Sequence, residues 1–167
     1  DEATAILAGV MARLWRPPPP GAAPAGYAGD LDAARPTGPL SEALLARARA
    51  TLAELLRTAG TPRLLHGDLH HHNVLSAGRG RWAAIDPKGV VGDPGSDVTP
   101  LLHNPVGLPD PGALAERRVA RLAAELGMDR DRLRAWGFVG AVLSEVWTVE
   151  ATGRVDGRAL GVALALG

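Results

Sequence analysis

Apolar residues recur at helical spacing near the start of the chain. Within residues 4–15 they occupy positions that fall on one face of an amphipathic helix, namely Ile6, Leu7, Val10, Met11 and Leu14. The four prolines at residues 17–20 end this pattern, because proline cannot continue a helix. From Gly21 to Pro39 the chain is rich in Gly, Pro and Ala and has few large apolar side chains. That composition predicts an irregular surface segment.

Three further stretches predict helices with recognisable ends. Ser41 is a suitable N-cap and Gly60 a suitable terminator for a helix with one apolar face, formed by Leu44, Leu45, Ala48, Leu52, Leu55 and Leu56. A second helix is expected from Asp110-Pro111 to Gly127, and Asp129 can cap a third. Residues 157–166 form a last apolar helical segment.

The helical spacing of apolar residues stops between Thr61 and Asp86 and gives way to short apolar runs. Two short apolar runs, Val74-Leu75 and residues 82–85, flank the turn-forming residues 76–80. This arrangement predicts a small β-hairpin, followed by a loop after residues 92–95. The pattern as a whole indicates a mostly helical α+β protein with one hairpin in the middle.

Composition narrows the class of protein. A chain of 167 residues with 46% hydrophobic content can bury one sizeable core, which favours one domain or one lobe of a larger enzyme. Acidic and basic residues number 18 each, without long runs of one sign, so no nucleic-acid partner is indicated. The chain has no cysteine, which excludes a disulfide scaffold and a thiolate zinc site. No apolar stretch would span a membrane and no leader is apparent, so a cytoplasmic protein is expected.

One stretch combines the groups that phosphoryl transfer requires. Residues 64–75 read LLHGDLHHHNVL, and residues 84–89 read AIDPKG. Transfer from ATP needs a carboxylate that orients the attacking hydroxyl and accepts its proton, and oxygen ligands that hold magnesium against the phosphates. Asp68 suits the first role, and Asn73 and Asp86 suit the second. A turn centred near Gly78 would return Asp86 to the residues just before Asn73.

The spacing of His66, Asp68 and Asn73, followed by Asp86, resembles the catalytic loop and metal-binding aspartate of the aminoglycoside phosphotransferase family, which is similar to protein kinases. Within that family these strings, with LWRPPPP at residues 14–20 and the later Asn-Pro pair, are most similar to the aminoglycoside 6-phosphotransferases, the streptomycin and hydroxyurea resistance kinases. The resemblance implies that ATP is the phosphoryl donor, that Asp68 is the catalytic base, and that Asn73 and Asp86 bind Mg²⁺.

The resemblance also implies a protein-kinase-like fold of which residues 1–167 form only the C-terminal, catalytic lobe. The nucleotide-covering lobe is expected to be absent, because no glycine-rich turn lies between strands before Asp68 and the single lysine, Lys88, follows it. The isolated chain is therefore expected to be inactive. Asp97 would be the buried aspartate that braces the catalytic loop. Pro87-Lys88 replaces the aromatic residue and glycine of protein kinases, so a kinase-type activation switch is not expected.

Several residues admit a structural interpretation beside the functional one. Asp68 and Asn73 could simply cap backbone amides in a turn. His66 and residues 70–72 could form a metallohydrolase site, but consecutive residues rarely direct three side chains at one ion. We expect His66 to support the loop as a hydrogen-bonded core residue instead. Lys88 could contact a phosphate or lie on the surface.

The later helices carry the candidates for substrate binding. Trp136 and Trp147 are expected in the core or in a pocket wall. Glu145 and Glu150 could form a solvated face or bind a cationic substrate. The predicted function is transfer of the ATP γ-phosphoryl group to an alcohol of a small molecule, such as the aminoglycoside streptomycin. Two alternatives stay open: an inactive fragment or pseudokinase that acts as a binding module, and a kinase for a sugar or amino alcohol.

Overall fold

The computed structural model of the protein describes residues 2–105, 107–155 and 157–167. It contains both helices and short antiparallel strands, in agreement with the predicted α+β class. The helices are α1 (Glu2–Leu14), α2 (Tyr27–Ala33), α3 (Glu42–Arg57), α4 (Thr99–Leu102), α5 (Pro111–Leu126), α6 (Arg130–Thr152) and α7 (Leu160–Leu166). The strands are β1 (Arg63–Leu65), β2 (Val74–Ser76), β3 (Trp82–Ala84) and β4 (Val90–Gly92), and 3₁₀ turns cover His71–Asn73 and Pro94–Val98.

The predicted N-caps are confirmed, whereas α3 ends at Arg57 with Thr58 as its C-cap and does not reach Gly60 as expected. The Ser41 hydroxyl accepts a hydrogen bond from the backbone N–H of Leu44, and the carboxylates of Asp110 and Asp129 accept equivalent bonds at the starts of α5 and α6. Gly127 ends α5 in the left-handed conformation that glycine adopts without strain. Among the described helices, none combines the length and the apolar character that a bilayer crossing requires.

Helix α6 lies at the centre of the core. It packs against α3, α5, α7 and the 3₁₀ turn at Pro94–Val98, and most of its residues from Leu133 to Val146 are buried. Gly140 makes the close approach of α4 possible, because a Cβ atom there would lie 2.4 Å from the Thr99 Cβ. This contact packs α4, together with the 3₁₀ turn that precedes it, against α6.

The strands form two separate two-stranded sheets. β2 pairs with β3 in the predicted hairpin, with Val74 opposite Ala84. β1 pairs with β4, with Leu65 opposite Val90, and this second sheet was not predicted. Together the two sheets hold both ends of the loop at residues 66–73.

The prediction of an irregular segment from Gly21 to Pro39 was wrong, because residues 27–33 form α2. One fully buried side chain, Leu31, anchors this short helix, which contacts α3 and α6. A helix of seven residues has little stability by itself, so tertiary packing stabilises α2. The loop expected after residue 95 is likewise partly helical, since it contains the buried α4.

Candidate active site

The loop at residues 66–73 is held by a buried carboxylate. Asp97 accepts hydrogen bonds from the backbone N–H groups of His66, at 3.2 Å, and Gly67, at 2.7 Å. A third bond comes from the indole N–H of Trp15 at 2.9 Å. These three donors compensate the burial of the charge. Asp97 therefore fixes the backbone immediately before Asp68.

His66 connects this loop to the end of the hairpin. Its buried ring accepts the backbone N–H of Asp68 at Nδ1, 3.2 Å away, and lies 2.9 Å from the carbonyl of Ile85 through Nε2. Because a carbonyl can only accept, Nε2 carries the proton and the tautomer is fixed. The two bonds hold Asp68 and the residue before Asp86 in one arrangement.

Gly67 brings the loop close to β4. It has a φ of 85°, and a Cβ atom there would lie 2.5 Å from Val90 Cγ2 and 3.2 Å from Lys88 Cβ. Only glycine satisfies both the backbone conformation and this contact.

Asn73 directs its amide nitrogen towards Asp68. Asn73 Nδ2 donates to the backbone carbonyl of Asp68 at 2.8 Å and lies 3.5 Å from its carboxylate Oδ2. The amide oxygen of Asn73 thus faces away from this donor bond and can accept or ligate. The Asp68 side chain keeps 36% of its surface exposed, so its carboxylate is available to a ligand.

Asp86 follows β3 at the edge of the loop. The hairpin continues one step beyond the strands, since the backbone N–H of Ile85 donates to Asn73 at 3.0 Å. Asp86 has a φ of 56°, and its exposed carboxylate pairs with Lys88 Nζ at 2.7 Å. The hydrogen bond from Lys88 lowers the pKa of Asp86, and the same bond raises the pKa of Lys88.

The consecutive histidines point to different partners. The His70 ring accepts the backbone N–H of His72 and lies 3.5 Å from the Asp68 carboxylate, whereas His71 lies 3.4 Å from the Arg118 guanidinium. Burial lowers the pKa of His71 to about 4, with a further contribution from Arg118. Among residues 2–105, 107–155 and 157–167, no cluster of three His, Asp or Glu side chains is arranged to hold a metal.

Asp68 and Lys88 border a cleft of about 540 Å³. Its other walls come from α2, α4 and α6, and include Tyr27, Trp136 and Trp147. Burial raises the pKa of the Tyr27 phenol. Trp136 is both a core residue and a wall of the cleft, so the two interpretations of this residue are compatible.

The two glutamates considered for substrate binding lie elsewhere. Glu145 is buried, and its carboxylate accepts backbone N–H groups of Gly157, Ala159 and Leu160 at the start of α7. Glu150 is exposed and lines a shallow groove beside Arg35, outside the cleft. Both oxygens of Glu145 are therefore engaged by backbone N–H groups at and just before the start of α7, and Glu145 does not line the cleft.

Sequence reasoning missed Asp30, which lines the cleft from α2. A signal existed in the spacing of Tyr27, Asp30 and Leu31, which fall on neighbouring positions of a helix. The surrounding Gly, Pro and Ala residues obscured it.

The site thus combines the Asp68 carboxylate, on a loop held by Asp97 and His66, with the cleft that it borders. Comparison with known proteins identifies the family: the profile of the aminoglycoside/hydroxyurea antibiotic resistance kinases matches residues 1–152, and the chain belongs to this family.

Individual relatives are similar over nearly the whole chain. Streptomycin 6-kinase of Streptomyces glaucescens is 34% identical over 99% of this chain and 58% of the relative. Hydroxyurea phosphotransferase of Kitasatospora aureofaciens is 39% identical over 89% of this chain and 44% of the relative. Streptomycin 3''-kinase of Klebsiella pneumoniae is 35% identical over 89% of this chain and 58% of the relative. The chain thus spans about half the length of these relatives. No solved structure matches it significantly.

Proposed function

We propose that this chain is the catalytic, C-terminal lobe of a phosphotransferase that moves the γ-phosphoryl group of ATP to a hydroxyl of a small molecule, such as the aminoglycoside streptomycin. The observation that carries the proposal is the placement of Asp68. Its carboxylate lies on a loop fixed by Asp97 and His66, and it borders the cleft. The family membership and the activities for which the relatives are named support the same reaction class.

Asp68 would orient the acceptor hydroxyl and take its proton as the phosphoryl group is transferred. This chemistry depends mainly on position, because the metaphosphate-like transition state requires little covalent participation from the protein. The backbone N–H groups of His66 and Gly67 donate to Asp97, and that of Asp68 donates to the His66 ring, and these bonds supply this positioning.

Asn73 and Asp86 would hold Mg²⁺. An amide oxygen and a carboxylate oxygen are ligands that Mg²⁺ prefers, and it usually takes only one or two from the protein and the rest from phosphates and water. The Asn73 amide donates through nitrogen, which leaves its oxygen for a metal, and the Asp86 carboxylate is exposed. Both residues therefore fit the ion, which when bound would offset the charge of the phosphates. Lys88 would release Asp86 and remain beside the phosphates as a second cation.

A second candidate acceptor is a small neutral hydroxyl compound. The similarity to hydroxyurea phosphotransferase, at 39% identity, favours this alternative. Both candidates use the same catalytic loop, so they differ only in what binds the rest of the cleft.

The first prediction tests the role of Asp68. In the protein that carries this sequence, Asp68→Asn should lower kcat for streptomycin phosphorylation by about two to four orders of magnitude, because the hydroxyl loses its proton acceptor. ATP affinity should stay close to that of the unmodified protein, because the proposed metal ligands are intact. Product formation followed by mass spectrometry and ATP binding followed by calorimetry measure the two effects.

Asp131→Asn is the matched control, since it removes an exposed carboxylate from the first turn of α6, outside the cleft. It should leave both quantities unchanged. Near-normal turnover of Asp68→Asn would contradict the assignment of Asp68 as the base.

A further inference from the structure

The cleft that Asp68 borders contains a second carboxylate, on α2. Asp30 accepts a hydrogen bond from the Trp147 indole N–H at 3.1 Å through Oδ2. Within the described part of the chain, Asp30 takes part in no ion pair. A half-buried carboxylate with one neutral partner retains its capacity to bind a cation.

Aromatic rings lie beside this carboxylate. The Tyr27 ring is 6.4 Å from Trp147, with the planes tilted by 49°, and 6.2 Å from Trp136 in an edge-on arrangement. Trp147 keeps 43% of its surface exposed, so a large part of this residue is accessible to a ligand. A carboxylate next to exposed aromatic faces is the combination that binds organic cations, because the charge and the ring quadrupoles attract the same ligand.

Trp136 forms the buried part of the same wall. Trp136 is 2% exposed and lines the cleft, yet its indole N–H has no acceptor among the described residues. The nitrogen is itself inaccessible and lies against Gly95, where an ideal Cβ atom would be 2.9 Å from Nε1, so Trp136 presents its ring and not its N–H to the cleft. Gly95 permits the ring position, because a Cβ atom there would lie 2.3 Å from Trp136 Cδ1.

The charges around the cleft favour a cation over an anion in this region. Lys88 is neutralised by its pair with Asp86. Burial lowers the pKa of His103, another lining residue, to about 4, so the ring is neutral at physiological pH. Asp68 and Asp30 then dominate the electrostatic potential of the cleft.

We propose that Asp30, Tyr27 and Trp147 form a subsite for a positively charged, guanidinium-type group of the acceptor. This inference rests on the proposed function, because it assumes that the reacting hydroxyl of the same ligand lies at Asp68. The proposed subsite favours streptomycin over hydroxyurea as the acceptor, because streptomycin carries guanidinium groups, whereas hydroxyurea is small and uncharged. The cleft is then specific for a hydroxylated organic cation.

The test compares Asp30→Asn with Asp32→Asn in the protein that carries this sequence. Asp32 lies on the same short helix but is exposed and does not line the cleft, so it gives the same charge change outside the subsite. Streptomycin binding without nucleotide is measured by calorimetry at low and high salt. Streptomycin and hydroxyurea phosphorylation are measured where the protein shows them.

Asp30→Asn should weaken streptomycin binding about tenfold, because a carboxylate–guanidinium contact is lost. The weakening should shrink at high salt, since screening reduces the lost attraction. Trp147→Ala should weaken binding by a similar factor. Asp30→Asn should raise KM for streptomycin by the same factor with little change in kcat, and leave any hydroxyurea turnover unchanged. Asp32→Asn should behave as the unmodified protein, and circular dichroism verifies the folding of each variant.

The outcomes separate the two proposals. Streptomycin binding that is unaffected by both Asp30→Asn and Trp147→Ala, or absent from the unmodified protein, overturns the subsite. If Asp68 then still governs phosphoryl transfer, the proposed function stands. Binding that depends on Asp30, in a protein that transfers no phosphoryl group to streptomycin, supports the subsite and overturns the proposed function instead.

Discussion

At the scale of single residues, Asp86 is constrained in both backbone and side chain. Its positive φ is a conformation that aspartate and asparagine tolerate better than most residues, because their short polar side chains interact with the local backbone. Its carboxylate is exposed and bound to a single cation, Lys88. Because the carboxylate is exposed, it is accessible to another cation as well.

Asp86→Asn should remove the dependence of nucleotide affinity on magnesium. Asparagine retains the backbone conformation but lacks the charge that would hold the ion. Calorimetric titration with ATP, with and without MgCl₂, should show tighter binding with magnesium in the unmodified protein and no such difference in the variant. Asp131→Asn again serves as the charge-matched control. An Asp86→Asn protein whose ATP affinity still rises with magnesium would exclude this residue as a ligand.

The residues of the proposed site differ in how well the sequence predicts them. His66, Asp68 and Asn73 lie within eight positions of one another, so their spacing alone carries the chemical pattern. Asp30 and Trp147 are 117 positions apart and meet only through the packing of α2 on α6. No local pattern encodes such a contact, which is why the loop was predictable and this part of the cleft was not.

At the scale of secondary structure, the junction between α6 and α7 depends on one buried carboxylate. Glu145 accepts N–H groups of residues 157, 159 and 160, which include orphan donors at the start of α7. A negative charge at a helix N-terminus is also favoured by the helix dipole. The two helices are therefore joined by polar as well as apolar contacts.

Glu145→Ala should lower the free energy of unfolding by about 3–5 kcal/mol, because several buried donors lose a charged acceptor. Urea denaturation measures the change. Glu150→Ala, on the same helix but exposed, should change stability by no more than about 0.5 kcal/mol. Equal stability of the two variants would show that the α7 contacts of Glu145 are not needed.

The long capped helices, the β2–β3 hairpin and the apolar segment that forms α7 were predictable, whereas α2 and the pairing of β1 with β4 were not. α3, α5 and α6 carry both an N-cap side chain and an apolar face, so local signals agree with the final structure. α2 and the pairing of β1 with β4 involve seven and three residues per element. Their stability comes from packing on α6 and from long-range pairing, and neither contribution is visible in a sequence window.

At the scale of the whole molecule, some residues line the cleft and also belong to the core, among them Trp136 and Leu143. Gly140 and Leu143 line the cleft from α6, and His103, the residue that directly follows α4, lines it as well. The neutral His103 ring belongs to this shared region, because burial lowers its pKa from 6.5 to about 4. Protonation of this ring therefore acts on the stability of the entire fold.

The protein should lose stability as the pH falls from about 6.5 to about 4. In this window the unfolded chain binds a proton at His103 that the folded chain excludes, so acid favours unfolding. The slope from one such imidazole is at most about 1.4 kcal/mol per pH unit, and His71, with the same direction of pKa shift, adds to it. Below pH 4 the contribution of His103 no longer changes.

Urea denaturation at a series of pH values measures this slope. His103→Gln should reduce it relative to the unmodified protein, since glutamine does not titrate. His72→Gln is the control, because this histidine is exposed. An unchanged slope in His103→Gln would show that His103 is not the group responsible.

The pairing of Lys88 with Asp86 has a consequence for chemical labelling. Lys88 is the single lysine among the 167 residues, so an amine-directed reagent has one side chain to modify in this sequence, and it lies at the edge of the cleft. The ion pair raises the pKa of the amine and so slows its acylation. A ligand that captures Asp86 would break this ion pair and so change the rate at which the Lys88 amine is acylated. That rate can therefore report whether the site is occupied.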